Sequence, residues 1–205
     1  MAGFGYKTSW LAVRDRTPDQ VADALDLRDR RVLDWADGTD RAYRHGVYVT
    51  ASVPGWTLAH GRVHIPAGFD ATEPPFADWL TELSRYLGEV QFFANERVPD
   101  YHAWARALDG ELLRAYCYVG ERDEVSLFLG DPTADEIEFD IGIRDREPGW
   151  EHWSDEQWDV WFDTTPSESD VMAMAGRWSV DPTMIDDVAV TVTGIYGLPP
   201  SVCGE

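Results

Sequence analysis

Apolar residues recur along this chain with two periods, one that fits helices and one that fits strands. Phe76, Trp79, Leu80, Leu83 and Leu87 fall at offsets 0, 3, 4, 7 and 11, after Pro74-Pro75 and before Gly88. This spacing predicts the clearest helix of the chain. A second helix is expected from Pro18: Thr17 can cap it, Gln20 completes a capping-box spacing, and Val21, Ala24 and Leu25 form one stripe. Two more are expected, one from Ser154 with Trp158 and Trp161, the other from Ser167 with Val171, Met174, Ala175 and Trp178. Strand-like runs, rich in β-branched and aromatic types, cover 6–13, 47–50, 56–59, 89–94, 101–108, 111–119, 124–129, 136–143 and 188–195. The polar, Gly-containing stretch 35–43 reads as a loop.

Many of these strands adjoin in sequence. Pro54-Gly55 sits between 47–50 and 56–59, and Asp109-Gly110 joins 101–108 to 111–119 as a type I′ hairpin signal. The pattern predicts an α+β fold: a largely antiparallel β-sheet with three or four amphipathic helices packed on it. No internal repeat or low-complexity linker divides residues 1–205, so one domain is expected.

Charge adds a second kind of order. The net charge is −21, and residues 131–205 carry most of it, with 18 acids against Arg144, Arg146 and Arg177. Such acidity argues against nucleic acid as a partner, because duplex binding needs Lys and Arg to displace counterions. At 44% hydrophobic and 13% aromatic, the chain can still bury a core. No window resembles a membrane span, the first residues lack signal-peptide features, and the only cysteines are Cys117 and Cys203. A cytoplasmic protein with reduced thiols is expected.

Candidate chemistry starts at the Asp109-Gly110 hairpin. If Leu108 pairs with Glu111, counting outward puts His102 opposite Cys117, Trp104 opposite Ala115, and Arg106 opposite Leu113. An imidazole beside a thiol lowers its pKa and shuttles its proton, so His102 and Cys117, with Arg106 close by, form the candidate catalytic group. The same residues also fit plain core packing. Tyr116 and Tyr118 face away from Cys117, which implies a sheet covered on both sides. His60 and His64, on one strand, would stand about 13 Å apart, too far to share an ion. Asp100 and His102 share a face but lack a nameable third ligand. No metal and no cofactor is expected, and the common phosphate-loop, nucleophile-elbow and zinc-helix motifs do not occur.

The stretch 150–163 interleaves Trp150, Trp153, Trp158 and Trp161 with Glu151, Asp155, Glu156, Asp159 and Asp163. Carboxylates without nearby Arg resist burial, so part of this segment is expected at the surface. Aromatic anchors in negative charge suit a surface for a basic partner. Two functions fit. One is a cytoplasmic acidic protein that engages and neutralises a basic protein partner. Its size and charge are similar to those of small acidic immunity proteins, a likeness with no motif behind it. The other is a small pocket enzyme or ligand-binding protein of secondary metabolism that takes an apolar or cationic small molecule beside His102, Cys117 and Arg106.

Overall fold

Apolar residues occupy both parities of the runs around Trp10, Phe92, Trp104 and Tyr116, and each of these strands is buried on both faces. The computed structural model describes residues 3–62, 65–66, 71–141, 149–163, 165–185 and 193–200. Its elements are β1 (Thr8–Arg14), α1 (Pro18–Ala24), β2 (Arg28–Leu33), α2 (Trp35–Arg44), β3 (Val47–Val49), β4 (Trp56–His60), α3 (Pro75–Leu87) and β5 (Val90–Glu96). They continue with β6 (Tyr101–Leu108), β7 (Glu111–Val119), β8 (Glu124–Leu129), α4 (Ala134–Glu138), α5 (Asp155–Asp163), α6 (Glu168–Trp178) and β9 (Gly194–Leu198).

The strands form one nine-stranded sheet in the order β2-β9-β3-β4-β1-β5-β6-β7-β8, antiparallel throughout. The acidic C-terminal third is part of this body, because β9 is inserted between β2 and β3. Helices α1 and α3 cover a face of aliphatic and small side chains such as Leu11, Val13, Ala103 and Ala105. Helices α2, α4 and α6 lie on the other, which is aromatic: Trp10, Tyr48, Phe93, Trp104 and Tyr116. The architecture is the expected α+β class with more helices than expected, six among the described residues.

Local signals explain the elements that were foreseen. Thr17 and Gln20 form the reciprocal capping box of α1. Phe76, Leu80, Leu83 and Leu87 are the buried stripe of α3, each contributing on the order of 1.5–3 kcal/mol by leaving water. At the Asp109-Gly110 turn both residues have positive φ, 49° and 87°, as type I′ requires.

Three expectations need correction. Residues 35–43 are not a loop but most of α2, which Asp34 caps by accepting a hydrogen bond from the Asp37 N–H. Its buried stripe is Trp35, Gly38, Thr39 and Ala42, the last three small enough to let the helix lie close to β3. Residues 136–141 are not a strand. They begin inside α4, capped by a Thr133–Glu136 box, while 142–143 fall outside the described residues. The last strand is Gly194–Leu198, later than expected, and 188–192 also fall outside.

Closeness at Gly38 is measurable. A Cβ there would stand 2.2 Å from the buried Tyr48 ring. Gly38→Ala is therefore expected to lose about 1–3 kcal/mol by overpacking, more than the roughly 1 kcal/mol that alanine gains in a helix. A lower urea midpoint is the predicted reading; a raised one would mean that Tyr48 moves aside freely.

Helix α4 is docked by a buried ion pair. Arg114 Nε donates to both Glu136 carboxylate oxygens at 3.0 and 3.1 Å, and both side chains are essentially fully buried. Trp104 Nε1 donates to Glu136 Oε1 and the Thr133 N–H to Oε2, each at 2.6 Å. Arg114 also caps β8, donating to the Leu129 and Gly130 carbonyls at 3.0 and 3.3 Å.

Candidate functional site

Gly149, with φ of 96°, turns the chain into the short 3₁₀ segment Trp150–His152, and Ser154 then starts α5. The Ser154 N–H donates to Gln157 Oε1 at 3.0 Å, and the Gln157 N–H donates back to Ser154 Oγ at 3.4 Å. Helical spacing separates two stripes. Trp158 and Trp161 lie on one, half-buried, while Asp155, Glu156 and Asp159 are exposed on the other.

The four tryptophans pack on one another. Trp153 lies edge-on to Trp158 at 5.1 Å and tilted against Trp161 at 5.8 Å, and Trp150 lies edge-on to Trp158 at 6.1 Å. All four stay half-buried. Glu151, Asp155, Glu156 and Asp159 are exposed, and among the described residues none has a salt-bridge partner. Arg177, the one described base of the acidic third, is paired instead with Asp135 and Glu138. The result is an aromatic ledge edged with negative charge that no described residue compensates. Its field reaches about 10 Å into 0.1 M salt.

The proposed thiol–imidazole pair does not assemble. Leu108 does pair with Glu111, but a bulge follows: Ala107 faces Leu112 and Arg106 faces Arg114, which leaves Leu113 over. Beyond it every partner is shifted by one, so His102 stands opposite Tyr118, Trp104 opposite Tyr116, and Cys117 opposite Ala103. A slip of one residue also exchanges faces. Cys117 packs in the aliphatic layer with Ala103, whereas His102 shares its parity with Trp104 of the aromatic layer. Arg106 is engaged elsewhere, its Nη2 lying 2.8 Å from Glu89 Oε1. Burial pushes the Glu89 carboxyl up, but hydrogen bonds from Arg14 and Gln91 and the charge of Arg106 outweigh it and hold the group below the usual range. The three residues therefore sit in separate environments. Cys203 falls outside the described residues.

His102 does have an acidic partner. Its Nε2 lies 2.9 Å from Asp100 Oδ1, at the edge of a polar hollow of about 580 Å³ that Arg97, Ser167, Glu168 and Ser169 also line. Arg97 closes one side by an ion pair to Glu168 at 2.6 Å. Asp170 is already occupied in capping α6, and no third ligand joins Asp100 and His102. Among the described residues no group of three or more His, Cys, Asp or Glu is placed to hold a metal ion. His64 falls outside them, and His60 is buried among aromatic rings. No described helix is long and apolar enough to cross a membrane. Comparison with protein-family profiles, with curated proteins and with solved structures gives no match.

Proposed function

We propose that this chain is an acidic binding protein of the cytoplasm that holds a basic protein partner and neutralises it by covering its surface. The observation that carries this reading is the ledge at 150–161, where Trp150, Trp153, Trp158 and Trp161 present half-buried rings beside exposed Glu151, Asp155, Glu156 and Asp159, which have no salt-bridge partner among the described residues. Indole supplies large contact area at low entropic cost, and exposed carboxylates speed encounter with a cation without the expense of burial. The thin use of cysteine suits a reducing compartment. A small-molecule role finds less support, since the hollow at His102 lacks the thiol that motivated it.

Capture from host lysate at low and high salt, followed by binding assays on the retained protein, tests the proposal. Single Trp→Ala changes at the four positions should weaken binding by more than about 1 kcal/mol at one or more of them. Asp155→Asn, Glu156→Gln and Asp159→Asn together leave the rings in place and should slow association and flatten its salt dependence. Unchanged binding by all of these variants, with folding verified, would remove the ledge as the anchor.

A further inference from the structure

Residues 3–7 form a strap across the aromatic face, and its anchor is an unusual histidine. Phe4, 1% exposed, stacks on the His60 ring at a centroid distance of 4.2 Å and an angle of 12°. Tyr43 Oη accepts from the Gly5 N–H at 3.4 Å and donates to the Tyr6 carbonyl at 3.0 Å. Asn95 completes the fastening, donating to the Gly5 carbonyl at 2.6 Å and accepting from the Lys7 N–H at 2.9 Å. The strap is thus hung from α2 and β5 and pressed onto β4.

His60 is fully buried beneath it, and neither ring nitrogen has a hydrogen-bond partner among the described residues. Among the described residues the ring meets aromatic groups from several elements: Phe4 from the strap, Tyr43 from α2 and Tyr48 from β3, with Trp10 of β1 its cross-strand neighbour. The titratable members are the two tyrosines, both pushed up by burial, Tyr48 to about 12, so neither supplies a counter-charge. Two charges are felt at these tyrosines: Arg62 at Tyr43, of the wrong sign to receive an imidazolium, and Asp34 at Tyr48, an exposed carboxylate already engaged in capping α2. Stacked Phe4 would gain some cation–π attraction for a protonated ring, but this cannot replace the hydration of a fully buried charge.

We propose that neutral His60 is the latch of this strap: taking up a proton from solvent requires residues 3–7 to lift away, so the segment is released as the pH falls below histidine's ordinary range. Burial alone pulls the His60 pKa from 6.5 down to about 3, which is the direction a latch of this kind needs. Release uncovers Phe4 and the rings beneath it while the nine-stranded sheet persists. The device stands apart from the 150–161 ledge and does not depend on its role.

Lys7 is the only lysine of the chain and ends the strap, so cleavage by a lysine-specific endoproteinase reports release directly. The rate for the whole protein between pH 8 and 5, divided at each pH by that for a peptide of residues 3–14, is expected to rise up to tenfold per pH unit below about 6.5, as uptake of one proton dictates. His60→Phe should keep the ratio flat, and His60→Leu serves if the larger ring does not fit. The His60 Cε1–H resonance should report a neutral ring for as long as the Gly5 amide stays protected. A flat ratio in the native protein, an equal rise in both variants, or titration of His60 with Gly5 still protected overturns the latch.

Discussion

Glu136→Ala lowers the stability of this protein by an expected 3–5 kcal/mol or so, because it leaves Arg114 as a buried charge without its partner. The loss also orphans Trp104 Nε1, which donates to Glu136 and stacks on Tyr116 at 4.5 Å. It removes half of the capping box of α4 as well. Urea unfolding curves for the single variants and for Arg114→Met with Glu136→Leu check the argument. The double variant should recover the part of the loss that comes from the unpaired charge, while Trp104 Nε1 and the α4 cap stay without their acceptor. Arg177→Ala provides the contrast: its pairs with Asp135 and Glu138 are partly exposed and should cost no more than about 1 kcal/mol. A loss below about 1 kcal/mol in Glu136→Ala would show that the carboxylate is not what holds α4 in place.

This ion pair also marks where the sequence was hard to read. From Glu136 to Ile141 acids alternate with Ile137, Phe139 and Ile141, the signature of a half-buried strand. Thr133 and the buried partner of Glu136 override it: the acid lies inside, and Ile137 is 67% exposed. The helix that the charge pair docks buries Glu136 and turns Ile137 outward, while Phe139 and Ile141 still pack on the aromatic core. Helix α2 was missed for a related reason. Its stripe holds one large apolar residue, Trp35, beside Gly38, Thr39 and Ala42, and the glycine and surrounding polar residues read as a loop although the helix is amphipathic. Helix α3 was legible because its stripe is made of large apolar residues at helical spacing.

The candidate site failed and held at the same level of detail. Asp109-Gly110 fixed the turn type and the first pair, yet one extra residue, Leu113, moved Cys117 to the opposite face from His102. A trace of it was present, since Leu112-Leu113 breaks the alternation just before Arg114 enters an apolar run. The segment 150–163 was more readable, because the cost of burying carboxylates without cations does not depend on register. Its exposed acids and half-buried rings follow from composition alone. His60 lies at the other extreme. Its neighbours come from the strap, α2, β1 and β3, and no local pattern announces a ring whose nitrogens both lack partners.

That ring is expected to dominate the response of global stability to mild acid. In the unfolded chain His60 takes up a proton near 6.5, whereas in the folded one burial holds its pKa at about 3. Between those values the unfolded state binds more protons, so stability is complete above the unfolded pKa and falls as the pH is lowered, with a slope approaching 1.4 kcal/mol per pH unit, an order-of-magnitude figure. Glu89, whose pKa lies below its ordinary 4.5, begins to contribute only near that value, and its contribution is common to the native protein and the His60 variant, so it cancels in their comparison. Urea unfolding of the native protein and of His60→Phe as a function of pH should give lines that run parallel above 7, with the native line alone falling as the pH drops from 6.5 to 4.5. A packing penalty in the variant displaces its line vertically and leaves the slope untouched, so the comparison reads the proton alone. If the strap lifts before the sheet unfolds, the native state takes up the proton too, and the slope ends at the pH of release. The break then measures the cost of release, and it must coincide with the pH at which the cleavage ratio at Lys7 levels off. Parallel lines throughout would mean that His60 already finds a partner for its proton in the folded state, and the latch would fail together with the slope.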